Sequence, residues 1–187
     1  MPDARGCPVG TSSRTAIDHF ERASWRLSSF YGTPLEDLEA ASQADPGWAL
    51  PRIAHAGFLL TLTEHRLLGE ARAALEQAAA IIDRAPRRER GHLVAARLCL
   101  AGQWHEACRQ WDALLLEHPC DHLALQLAHL FDFYRGDAHH LRQRVARVRL
   151  QWPRDDELYP YVLGMHAFGL EECNLCLLYT SPSPRDS

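Results

Sequence analysis

Residues 102–119 read GQWHEACRQWDALLLEHP. Ala107, Trp111 and Leu114 stand at the spacing that brings side chains onto one face of an α-helix. Gly102 occupies the place of a left-handed residue that ends a preceding helix, and Pro119 stops the following one. These marks recur outward along the chain. Gly69, Gly102 and Gly136 are spaced by 33 and 34 residues, as are Pro86, Pro119 and Pro153, and each Gly precedes its Pro by 17 residues. Apolar residues follow each Gly at matching offsets: Ala74, Ala78 and Ile81, then Ala107, Trp111 and Leu114, then Leu141, Val145 and Val148. A repeat of this length implies an all-α array of helical hairpins, because each hairpin buries its apolar face only against its neighbours.

These residues resemble the tetratricopeptide repeat, whose unit is two antiparallel helices with small residues at their crossing, a Gly at the turn and a Pro after the second helix. The resemblance implies a right-handed α-α superhelix, a solenoid. The helix before Gly102 supplies Val94, Ala95 and Leu98 at inward positions; the next unit has Ala128, His129 and Asp132 there, a less regular set. Longer strings, TSSRTAIDHFERA, RERGHLVAARLCLAGQWHEACRQWDALLLEHPCDHLALQLAH and YVLGMHAFGLEECN, resemble the N-terminal part of the tetratricopeptide repeat protein 38-like family across nearly all of residues 11–175. That resemblance implies a cytoplasmic helical-repeat protein and brings no catalytic residue with it.

Outside the regular units, residues 1–13 are rich in Pro, Gly and Ser and are expected to form a disordered tail preceding a helical repeat domain over 14–175. Ala16, Ile17, Phe20, Ala23, Leu27, Phe30 and Tyr31 form one apolar stripe. Thr33-Pro34-Leu35-Glu36 is a helix start, with a capping box and a proline in the first turn, and Asp45-Pro46-Gly47 ends that helix. The next helix runs to about Arg66, its first turns disturbed by Pro51. Further helices are expected over 68–85, 88–101, 103–117, 122–135, 138–151 and 159–172. From Cys176 the chain reads CLLYTSPSPRDS, which resembles the translation of a transposase adapter used in sequencing libraries. Residues 176–187 are therefore expected to be a non-native tail on a chain truncated at its C-terminus. The last helix, with Tyr161, Val162, Met165 and Phe168 on one face and Gly164 open to a close partner, is expected to self-associate through its uncapped side.

Composition narrows the function. With 20 Lys and Arg against 24 Asp and Glu, the formal net charge of -4 gives no general attraction for nucleic acid or an anionic membrane surface. No apolar run has the length of a membrane span, and six Cys without a secretory signal fit reduced thiols in a cytoplasm. Eleven His invite a search for chemistry. The cluster His118-Pro119-Cys120-Asp121-His122 spans a helix boundary at which Asp121 is placed as N-cap, so it reads as structure and no metal or other cofactor is assigned. His92, His129 and His166 recur every 37 residues, which is not the repeat period, so they need not converge. Arg142, Arg144, Arg147 and Arg149 read as a solvated helix face. The groove lined by first helices is the best candidate site, with His92, Ala96 and Cys99 from one unit and Gln126, Leu130, Phe133 and Tyr134 from the next. Such a lining suits a peptide or a helix, which makes a non-enzymatic protein-protein interaction scaffold the first expectation. The alternative is an enzyme with groove histidines at its centre, completed by residues beyond the present C-terminus.

Overall fold

Residues 2–175, the span described in this computed structural model, form nine α-helices, three of them capped by a side chain at the start and five followed by a left-handed residue. They are α1 (Arg14–Ser29), α2 (Pro34–Ala44), α3 (Leu50–Thr61), α4 (Leu68–Ala79), α5 (Arg87–Leu100), α6 (Trp104–Glu117), α7 (His122–Tyr134), α8 (Ala138–Val148) and α9 (Tyr159–Glu172). No β-strand occurs among the described residues, and none of their helices is long and apolar enough to cross a membrane. The adapter-like segment 176–187 lies outside the described residues.

Side-chain caps form at three helix starts, whereas the capping box expected at Thr33–Glu36 does not form, since the Thr33 side chain caps no amide although α2 starts at Pro34. Ser13 accepts from the Ala16 amide at 3.2 Å, Asp121 from Ala124 at 3.1 Å and Asp137 from His140 at 3.1 Å, which satisfies amides that have no partner inside their helices. Gly102 and Gly136 adopt φ of 75° and 68° after α5 and α7. In both cases the amide of the next residue bonds back to the carbonyl five residues earlier at 2.9 Å, Gln103 to Leu98 and Asp137 to Asp132. Asn174 repeats this closure after α9 with φ 58° and a Leu175 to Leu170 bond of 2.8 Å. Gly69 does not belong to this set. It lies in the first turn of α4, and the left-handed residue after α3 is Thr63, φ 55°, so α3 ends at Thr61 and not near Arg66. Pro51 sits in the first turn of α3, where no amide is needed, and does not disturb it.

The helices pack in chain order: α1 on α2, α3 on α4, α5 on α6, and α7 through α9 each on its predecessor. The odd-numbered helices also meet one another, α3 against α5 and α7, and α1 against α7. A hydrogen bond of 2.7 Å between Ser28 and His122 Nε2 fixes the last contact. Ala107, Trp111 and Leu114 are buried, as are Leu141, Val145 and Val148. Trp111 stacks on Phe131 with centroids 5.9 Å apart, and Trp104 lies 5.3 Å from the same ring. Trp111→Ala opens a cavity at this α6–α7 seam and is expected to lower stability by about 3 to 5 kcal/mol, read as a drop in the urea midpoint at unchanged slope. An unchanged midpoint would remove Trp111 from the core.

Four expectations are corrected. Residues 2–13 are not a disordered tail: Cys7, Val9 and Thr11 are buried, and the segment is bonded to residues about eighty positions away. Its anchors are on α5, where Glu89 accepts from the Gly10 amide at 2.6 Å and Arg88 donates to the Pro8 carbonyl at 3.4 Å. Val94 points outward and is exposed, while Ala95 is buried. The arginines of α8 are not simply a solvated face. Arg144 is buried and bridges Asp112 of α6 and Asp132 of α7, so an ion pair takes the place of the apolar contact missing at Asp132. On α9 the close approach is made by Gly169, where an added Cβ would lie 2.7 Å from Arg142 Cα, while Gly164 is open.

Candidate functional site

Helix α7, HLALQLAHLFDFY, is apolar around most of its circumference, and such a helix is covered on several sides. Leu130, Phe133 and Tyr134 are the positions left partly open, with Phe133 at 45% and Tyr134 at 38% exposure. Two cavities lie along this strip. One, of about 250 Å³, is enclosed by α1, α3 and α7 and includes Leu27, Phe58, Leu123 and Leu127 in its walls. The other, of about 420 Å³, lies between α7 and α9 and is walled by Phe133, Tyr161, Met165 and Phe168. Phe30, Gln126 and Leu130 belong to both, so the two form one continuous groove.

Four of the predicted groove residues, Gln126, Leu130, Phe133 and Tyr134, are thus brought together. Tyr134 is tied into the fold as well, since its hydroxyl donates to the Thr61 carbonyl at 2.8 Å. His92, Ala96 and Cys99 are not in the groove: all three are buried within α5, which α3 covers. His92 Nε2 lies 2.8 Å from Asp121, and burial pushes the Cys99 thiol up, away from reactivity.

Sequence reasoning missed the contribution of α1. The apolar stripe running to Tyr31 places Phe30 inside a helix, but the helix stops at Ser29, and Phe30 takes φ 53° with 83% exposure at the junction of both cavities. A bulky residue in the left-handed region costs free energy, and a large exposed aromatic forgoes burial. No local pattern signals this, because the placement follows from α1 docking on α7.

The groove carries little charge. Arg26, at the edge of the smaller cavity, is the one Asp, Glu, Lys or Arg among the lining residues, and it pairs with Asp37 at 2.9 Å. His129 faces the larger cavity; burial, reinforced by Arg144, lowers its pKa to about 4, so it is neutral near pH 7. A base that weak takes protons poorly at neutral pH, which disfavours it as a general base.

The densest polar cluster lies away from the groove. Asp121, fully buried, accepts from Arg88 at 2.6 and 3.0 Å, contacts His92 at 2.8 Å and caps α7. Burial opposes its ionisation, but Arg88 and His92 outweigh this and hold its carboxyl well below the usual range. Neither of the two groove cavities is lined by these groups, and Arg88 already occupies both carboxylate oxygens. In the 118–122 stretch, Asp121 and His122 are buried, while Cys120 donates to the Gln151 carbonyl at 3.3 Å. Among the described residues, no three His, Cys, Asp or Glu side chains are grouped so as to hold a metal ion.

The chain matches no protein-family model, and no solved structure matches it.

Proposed function

We infer that this chain is a tetratricopeptide-like interaction module, akin to the tetratricopeptide repeat protein 38-like family, which captures an apolar segment of a partner protein in the groove along α7. The observation that supports this most is the run of incompletely covered large side chains, Phe30, Leu130, Phe133 and Tyr134, over two joined cavities with almost no charge. Exposed apolar patches of this kind mark interaction sites, and aromatic residues in such positions supply most of the binding free energy. A right-handed repeat array is consistent with the helix order and with the recurring closures at Gly102, Gly136 and Asn174.

The test is selection of peptides from a displayed random library on the whole chain, followed by affinity measurement with Phe133→Ala. Phe133 is the cleaner probe because Tyr134 also bonds to Thr61. Loss of about 2 kcal/mol, roughly thirtyfold in Kd, at an unchanged melting temperature is expected. Failure to enrich any peptide, or equal binding by the variant, would overturn the reading.

A further inference from the structure

We propose that the seam between α8 and α9 carries a second binding site, for a phosphate dianion, free or as a monoester, formed by Arg142, Arg149 and His166. None of the three lines either groove cavity, so the site stands or falls independently of the interaction reading.

Two contacts set the register of the helices. Cys173 Sγ donates to the Ala138 carbonyl at 3.2 Å, and Gly169 packs on the backbone of Arg142. Four residues forward on α8 thus match four residues back on α9, which makes the pair antiparallel. Continued along the seam, this register sets His166 opposite Val145 and Val162 opposite Arg149. Val145 and Val162 are fully buried, as inner faces require. Arg142, Val145 and Arg149 share one stripe of α8, because residues three, four and seven apart lie on one face. The two arginines therefore flank His166 along the seam, their Cα atoms about 10 Å apart at a rise of about 1.5 Å per residue. Two arginine side chains can close that gap.

The charge at this seam is uncompensated. Of the arginines on and just after α8, Arg144 pairs with Asp112 and Asp132, and Arg147 pairs with Asp112. Among the described residues, Arg142 and Arg149 pair with no acidic side chain, although both are only half-exposed. Arg149 Nε is enclosed without an acceptor, which leaves the terminal nitrogens of both guanidiniums and the ring nitrogens of His166 as the donors that reach solvent. The charged groups that act on His166 are these same two arginines; added to burial, they lower its pKa and keep the ring neutral near pH 7. Like charges held close together and partly out of water are unfavourable until an anion joins them. A phosphate dianion matches their total charge. Its oxygens accept from both guanidinium forks and from the imidazole N–H at once, whereas a carboxylate brings two oxygens and half the charge.

The experiment follows the arginine Nε–H resonances of the full chain, isotope-labelled at arginine, during titration with inorganic phosphate, N-acetyl-phosphoserinamide and acetate near pH 7.5 at constant ionic strength. Phosphate is expected to shift the Arg142 and Arg149 signals saturably and to bind at least about tenfold more tightly than acetate. The signal of Arg109, an exposed arginine paired with Glu106 on α6, should stay in place. Arg142→Gln should weaken phosphate at least about fivefold at an unchanged melt. Arg149→Lys, which keeps the charge and loses the fork, should weaken it less than Arg149→Gln does. Phosphoserinamide that binds as tightly as the free ion assigns the site to a phosphorylated side chain, and its exclusion assigns the site to free phosphate; either result supports the proposal. Equal affinity for phosphate and acetate, or undiminished binding by Arg142→Gln, overturns it. Because no peptide is present, neither result bears on capture of a partner segment by the groove.

Discussion

Asp121→Ala is expected to unfold the protein, or to lower its stability by about 4 to 6 kcal/mol, because one carboxylate serves three structures at once. It neutralises Arg88, which is buried and bonded to it at 2.6 and 3.0 Å. It also caps α7 and contacts His92. Removing one partner of a buried ion pair leaves an uncompensated charge and costs about 3 to 5 kcal/mol, and loss of an N-cap adds about 1 kcal/mol. Asp3, 3.6 Å from Arg88, is too distant to replace both bidentate bonds. The N-terminal segment should detach first, since Arg88 also holds the Pro8 carbonyl. Limited proteolysis would then cut Asp121→Ala before Gly10 under conditions that spare the parent chain. Arg88→Met with Asp121→Leu, which removes both charges and retains bulk, should recover part of the loss. A single variant Asp121→Ala that melts within a degree of the parent would show that the pair does not hold the fold.

That network also shows where the sequence stops being informative. The offsets of Gly102, Gly136, Pro119 and Pro153 are local, and each mark acts within a few residues, so helix boundaries from α5 onward were legible to within a residue or two, apart from α8, which ends at Val148, where a 3₁₀ turn takes over to Gln151. Ala107, Trp111, Leu114, Leu141, Val145 and Val148 followed the helical period into the core for the same reason. Gly69 kept the spacing but not the role, because Thr63 had already turned the chain. The N-terminal segment looked polar and irregular. Its order comes from bonds to Arg88 and Glu89, about eighty residues away, which no periodicity encodes. The groove was half legible. Gln126, Leu130, Phe133 and Tyr134 came from repeat register alone, whereas Phe30 and Leu27 enter through the docking of α1 on α7. His92 and Cys99 had the right register and the wrong surroundings, since α3 covers the face that they occupy.

Mild acid should destabilise the chain well before its carboxylates are protonated. Two histidines are buried in the neutral form: His122, whose pKa falls to about 3 through burial and the nearby Arg5, and His129, at about 4 through burial and Arg144. Both folded values lie below the ordinary 6.5, so between pH 6.5 and about 4 the unfolded chain binds more protons than the folded one. Stability is then fully present above pH 6.5 and declines as the pH falls. At pH 5 each group contributes a loss of roughly 2 kcal/mol, and near pH 4 the two together approach about 6 kcal/mol. This is comparable with the whole stability of a typical domain, about 5 to 15 kcal/mol. Glu89 acts in the opposite direction: burial raises its pKa, so protonation favours the folded state and offsets a part of the decline. Asp112 and Asp121, held low by Arg144 and Arg88, add to the loss only at still lower pH. Urea midpoints at pH 7.5, 6.0 and 5.0 should therefore fall steeply across the last two values. The imidazole C2–H resonances of His122 and His129 should keep neutral shifts until the chain unfolds. His129→Gln, which keeps a hydrogen-bonding group without a titrating one, should flatten the dependence by about half. A midpoint unchanged between pH 7.5 and 5.0 would mean that these two rings are open to solvent, and that α7 does not pack against α1 and α8 in the manner described.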